Sequence, residues 1–176
     1  LVGLDAGTGV GQWSFDRAVG AGVTVEEGTV YVVSSEEKRG TLYALSTEDG
    51  TVEWSTPVDA ETGPVTPAVS GDTVYTGGNT LQAFDVTTGE TRWQADYAVT
   101  TPATVAGERV VVGSETTIRA FDSADGSERW HNNVGTYGTL GPTVVTNPPA
   151  VTDDTVYVAA DRGLTALDLT EGRQRY

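Results

Sequence analysis

Short apolar runs, none long enough for a helix core, recur along the chain between turn-forming pairs. Val30-Tyr31-Val32-Val33 follows Glu27-Gly28, and Val74-Tyr75 follows Gly71-Asp72. Val110-Val111-Val112 follows Gly107-Glu108, and Val156-Tyr157-Val158 follows Asp153-Asp154. β-branched and aromatic residues bounded by Gly and Asp predict strands joined by tight turns. After each run comes a stretch such as Thr80–Phe84, in which Leu81 and Ala83 alternate with Gln82 and Phe84. No window of 11–18 residues repeats its apolar positions at helical spacing, so the pattern predicts an all-β chain.

Residues 65–95 contain one complete unit. Val65–Val69 reads as a first strand, A, with Pro67 at a position that needs no backbone donor. Thr73–Thr76 is strand B, Thr80–Phe84 strand C, and Glu90–Ala95 an outer strand, D. The turn from C to D opens on Asp85 and closes on Gly89. An aspartate there accepts hydrogen bonds from amides two or three residues on, and glycine tolerates a positive φ.

The C–turn–D phrase recurs five times: Gly3-Leu4-Asp5…Gly9…Trp13, Ala44-Leu45-Ser46…Gly50…Trp54, Ala83-Phe84-Asp85…Gly89…Trp93, Ala120-Phe121-Asp122…Gly126…Trp130 and Ala166-Leu167-Asp168…Gly172…Tyr176. A period near 40 residues means one supersecondary unit stacked on copies of itself. The small residue before each turn suggests a close approach of two sheets. The aromatic four places after each glycine supplies an apolar plate between them. Trp13, Trp54, Trp93, Trp130 and Tyr176 are therefore assigned to packing between units. The chain reads as a single domain over 1–176, divided at about 1–16 (a half unit), 17–57, 58–97, 98–134 and 135–176.

Composition changes the picture in three ways. The chain has 25 Asp and Glu against 10 Lys and Arg, for a net charge of −15, and Lys38 is its one lysine. Such a charge repels nucleic-acid phosphates and anionic membranes, so the expectation is no nucleic-acid partner and no direct insertion into a membrane. The acidic residues are scattered through turns and edges, a composition that resembles proteins of extreme halophiles. Adaptation to concentrated salt is the favoured reading, and a face that attracts basic ligands is the alternative. There is no Cys, which removes disulfides, thiolate metal sites and cysteine nucleophiles. No apolar run is long enough to insert into a membrane. There is no Met and Leu1 falls inside a repeat, so the chain reads as a processed or excised piece. Any signal peptide or lipid anchor then lies outside it.

The phrase small–Leu/Phe–Asp–x3–Gly–x3–Trp, preceded by Asp/Gly–x–Val–Tyr, resembles the quinoprotein-type, or PQQ, repeat. The resemblance covers nearly the whole chain. It implies a β-propeller of four-stranded antiparallel blades around a central channel. Four and a half blades are present, whereas the family usually closes with seven or eight, so the resemblance implies a fragment or a chain whose other blades are absent.

The resemblance also frames the candidate chemistry. Dehydrogenases of this family use pyrroloquinoline quinone (PQQ) and calcium, with an adjacent cysteine pair, calcium ligands from Glu, Asn and Asp, and a catalytic Asp. The cysteine pair is impossible here, and the nearest approach to a calcium loop, Asp122-Ser123-Ala124-Asp125-Gly126, lies in the repeated turn. His131 is the one histidine, on an outer strand, and reads as solvated. The expectation is therefore no enzyme and no cofactor, with a PQQ- and calcium-dependent alcohol or sugar dehydrogenase, its site in blades not present here, as the alternative that the resemblance implies. The non-enzymatic branch of the family, which includes the lipoprotein that assists outer-membrane β-barrel assembly, implies a scaffold for a protein or peptide partner. It places that scaffold in a secreted or surface-anchored protein. The longest spacer, from Asn132, Asn133 and Tyr137 to Asn147, is the candidate binding loop. Open blade edges add self-association.

Overall fold

In the computed structural model, residues 1–35, 40–60, 63–134, 145, 147–160 and 163–175 are described. The expected charged tip at 36–39, most of the long spacer with Tyr137, the turn residues 161–162, and Tyr176 lie outside the described residues.

The described chain contains only strands, turns and bends. A half-blade of β1 (Val2–Leu4) and β2 (Gly11–Ser14) comes first. Three four-stranded antiparallel sheets follow. The second blade is β3 (Thr24–Glu26), β4 (Thr29–Ser34), β5 (Gly40–Ser46) and β6 (Val52–Val58). The third is β7 (Ala68–Ser70), β8 (Thr73–Gly77), β9 (Leu81–Asp85) and β10 (Thr91–Ala95). The fourth is β11 (Thr104–Ala106), β12 (Arg109–Ser114), β13 (Thr117–Asp122) and β14 (Glu128–Asn133). The last blade has β15 (Ala150–Val151), β16 (Thr155–Ala160) and β17 (Gly163–Asp168), and a bridge from Leu167 to Gln174 begins its outer strand. Each sheet is a meander, and the first strands β3, β7, β11 and β15 lie side by side. This is a β-propeller left open.

Strand A of the third blade starts three residues later than its sequence predicts. Val65 is buried and its N–H reaches the Gly77 carbonyl at 3.2 Å, but pairing begins only at Ala68. Pro67 stands just ahead of the strand, where its carbonyl accepts the Thr24 hydroxyl of the preceding blade at 2.5 Å. Thr104 makes the same bond to Pro149 at 2.6 Å.

The core is a series of seams, one at each blade junction. Strand B explains why its sequence is continuously apolar: both of its faces are covered. Val30 and Val32 pack with Phe15 and Trp13 on one side, while Tyr31 and Val33 pack with Val74 and Phe84 on the other. Stability of such a stack resides largely in neighbour-to-neighbour interfaces.

Candidate interaction surface

The C–D turns carry the repeated geometry. Their opening carboxylates accept local amides: Asp85 takes Thr87 and Thr88, both at 2.9 Å, and Asp168 takes Thr170 and Glu171 at 2.8 and 2.9 Å. The closing glycines at 50, 89, 126 and 172 hold φ near +70°, a backbone conformation costly for any residue with a Cβ.

These turns also receive the indole of the preceding blade. Trp13 Nε1–H donates to Thr47 O at 2.9 Å, Trp54 to Val86 O at 3.0 Å, Trp93 to Ser123 O at 2.9 Å and Trp130 to Leu169 O at 2.7 Å. Each ring then lies over the turn glycine, so that a Cβ at Gly50, Gly89, Gly126 or Gly172 would come within 2.4–2.6 Å of it. Within its own blade the same ring faces the small residue of strand C, in the pairs Ala44↔Trp54, Ala83↔Trp93 and Ala120↔Trp130.

A bulge one place before the aromatic recurs as well. Leu45 pairs with Val52 and Ala44 with Trp54, leaving Glu53 extra; Arg92 and Arg129 are extra in the third and fourth blades. Bulges re-aim side chains, and here they turn arginines toward the turn carboxylates. Arg92 bonds Asp72 at 2.8 Å and Asp85 at 2.7 Å; Arg129 bonds Asp122 at 2.5 Å; Arg175 bonds Asp154 at 2.9 Å and Asp168 at 2.7 Å. The guanidinium of Arg92, helped by the Thr88 and Thr87 amides, pulls the Asp85 carboxyl down to about 2. Asp122 and Asp168 are lowered by the same kind of arginine contact. In the second blade the bulged residue is Glu53, which accepts the Thr29 hydroxyl at 3.2 Å. A groove of about 210 Å³ there is lined by Glu26, Glu27, Glu53 and Tyr31. The next junction has a groove of about 300 Å³ with Asp72 and Arg92 in its wall.

The two ends of the stack differ from its interior. Leu4 is 59% exposed, whereas its equivalents Leu45, Phe84, Phe121 and Leu167 lie between 0% and 3%. Leu164 is 68% exposed, against 0–1% for Leu42, Leu81 and Ile118. Gly9 has the φ of the other turn glycines, +71°, yet nothing stands within 4 Å of its would-be Cβ.

Of the candidate loop residues, Asn132, Asn133 and Asn147 are among the described residues. Asn132 is half-buried and donates to Gly172 O at 2.8 Å, which ties it to the next blade. Asn133 ends β14 and Asn147 lies on an exposed bend. His131 is exposed and pairs with Glu128 at 2.7 Å. The sequence reading missed Arg92, Arg129 and Arg175, although an arginine directly before the aromatic in three repeats was the available signal.

The family described as outer membrane protein assembly factor BamB matches the chain over residues 1–176. The chain belongs to that family. BamB of Yersinia pestis is 28% identical to it over 200 residues, covering 97% of this chain and 49% of the relative. The chain thus spans about half the length of the BamB proteins it matches. The crystal structure of BamB from Moraxella catarrhalis superposes with a TM-score of 0.76 at 22% identity, over 96% of this chain and 56% of that one. A quinohemoprotein alcohol dehydrogenase from Pseudomonas putida superposes with a TM-score of 0.72 at 18% identity, over 94% of this chain and 35% of that one. Similarity at that level shows the shared propeller alone.

In this BamB-family chain the carboxylates of the nearest approach to a calcium loop are engaged locally. Asp122 is held by the Ala124 amide and Arg129, and Asp125 by the Ser127 amide at 2.9 Å. No group of three or more His, Cys, Asp or Glu among the described residues is arranged around a common point.

Proposed function

We propose that this chain is a non-catalytic interaction module of the cell envelope, which binds protein through the loops on the faces of its propeller. The observation that carries this reading is the pairing of the turn arginines with the turn carboxylates, Arg92 with Asp72 and Asp85, Arg129 with Asp122 and Arg175 with Asp154 and Asp168. The arginines and carboxylates of the turns are engaged with one another, so they support structure rather than catalysis. Kinship with BamB proteins, named for outer-membrane protein assembly, supports both the class of partner and a secreted or surface-anchored location.

A photo-crosslinking residue at exposed Asn147 in the candidate loop, compared with one at exposed Val52 on β6, tests the reading in an envelope extract. Protein adducts at position 147 and none at 52 are expected; equal labelling or none overturns it. Pyrroloquinoline quinone with calcium is expected to leave the melting temperature unchanged, and a clear rise would revive the dehydrogenase.

A further inference from the structure

Strand topology sorts the charges of this chain between two faces. In an antiparallel meander alternate turns fall at opposite ends of the strands, so the A–B and C–D turns share one face. The B–C turns and the segments that join blades make the other. Among the described residues that other face carries Asp16, Asp59, Asp96 and Glu115, with Arg17. The turn face is far more acidic. Its A–B turns hold Glu26 and Glu27, Asp72, Glu108, and Asp153 and Asp154, and every C–D turn adds at least one carboxylate more. Arginines answer Asp72, Asp85, Asp122, Asp154 and Asp168. Glu26, Glu27, Glu53, Glu108 and Asp153 stand outside these clamps.

Three grooves open on the same face, each between the A–B turn of one blade and the C–D turn of the next. Their walls change along the stack. Glu26, Glu27 and Glu53 wall the first, and Asp72 and Arg92 stand in the second. The third, of about 400 Å³ between the fourth and last blades, presents Ala106, Val151 and Leu169 beside Asp153. It is apolar where the surface around it is anionic. Such a groove fits an apolar side chain that arrives flanked by positive charge, since an interface joins a dry centre to a complementary charged rim.

We propose that the turn face docks a basic segment of a partner protein, which seats an apolar side chain in the groove between the fourth and last blades. Arginine or lysine on either side of that anchor meets Glu108 and Asp153. The arginine clamps fix the turns beforehand, so this side of the interface needs little ordering. Docking here presupposes the protein-interaction reading above and adds to it a face and a partner chemistry.

The test is fluorescence anisotropy with a labelled nonapeptide of alternating arginine and leucine, in the lowest salt at which circular dichroism shows the chain folded. Binding is expected, and it weakens as KCl is added. Peptides with serine for leucine, or glutamate for arginine, are expected to bind at least about tenfold more weakly. Asp153→Lys puts a cation in the groove wall and should weaken binding about tenfold. Asp96→Lys, the same charge change on the other face, should stay within about twofold of wild type. Both aspartates are exposed, so neither change empties a core position. A wild type that binds no peptide overturns the proposal. So does equal weakening by the two lysine variants, or equal binding of the leucine and serine peptides. Protein adducts at position 147 from an envelope extract, alongside no peptide binding, would refute docking on the turn face while sparing the interaction module.

Discussion

The ring of Trp93 lies on Gly126 of the following blade, where a Cβ would stand 2.5 Å from Cε3, while its Nε1–H reaches Ser123 O in the same turn at 2.9 Å. One turn thus supplies a flat seat and an acceptor to a ring 33 residues earlier. The glycine answers two demands, a positive φ of 71° and room for the indole.

The two demands separate by comparison with Gly107, which has a φ of +55° but open space around its would-be Cβ. Gly107→Ala is expected to cost about 1–2 kcal/mol through backbone strain alone. Gly126→Ala adds displacement of Trp93, about 1–3 kcal/mol more. Denaturant melts of the two variants measure the difference; equal losses would remove the indole from the explanation.

Trp93→Ala empties a site that is 8% exposed, and the expected loss is about 3–5 kcal/mol. Trp93→Phe keeps a ring and loses the bond to Ser123, for which about 1 kcal/mol is expected. An unmoved midpoint for the alanine variant would contradict the seam account of the core.

Acid should loosen the turns in a defined window. Asp85 titrates at about 2 in the folded chain, below its ordinary 3.8, because Arg92 and the Thr88 and Thr87 amides favour the carboxylate. A lowered folded pKa contributes stability above the unfolded value, and that contribution disappears as pH falls from about 4 toward about 2. Asp85→Asn should therefore melt below wild type at neutral pH, with the gap closing near pH 2. A gap independent of pH would place the stabilisation elsewhere.

The net charge of −15 predicts a salt response. Screening shortens from ~10 Å at 0.1 M salt to ~3 Å at 1 M, relieving repulsion among the scattered carboxylates. The melting temperature is expected to rise from dilute buffer to multimolar KCl, and equal melting in both would defeat the halophilic reading.

The propeller was legible in the chain because turn chemistry is local: Asp85 and Gly89 declare their turn, and Val74-Tyr75 declares a strand covered on both faces. Strand A was misplaced because Val65 is buried and β-like without pairing until Ala68. The arginine clamps escaped notice because alternation assumes an unbroken ladder, whereas the bulge before each aromatic re-aims Arg92 and Arg129.

The central claim is that blades are joined by indoles that donate into the next turn. Hydrogen exchange of the four tryptophan Nε1–H protons, followed by NMR, tests it most directly. All four are expected to exchange far more slowly than free tryptophan, with Trp93 and Trp130, at 8% and 7% exposure, the slowest. Exchange of Trp93 and Trp130 at the free rate in the folded chain would contradict the account.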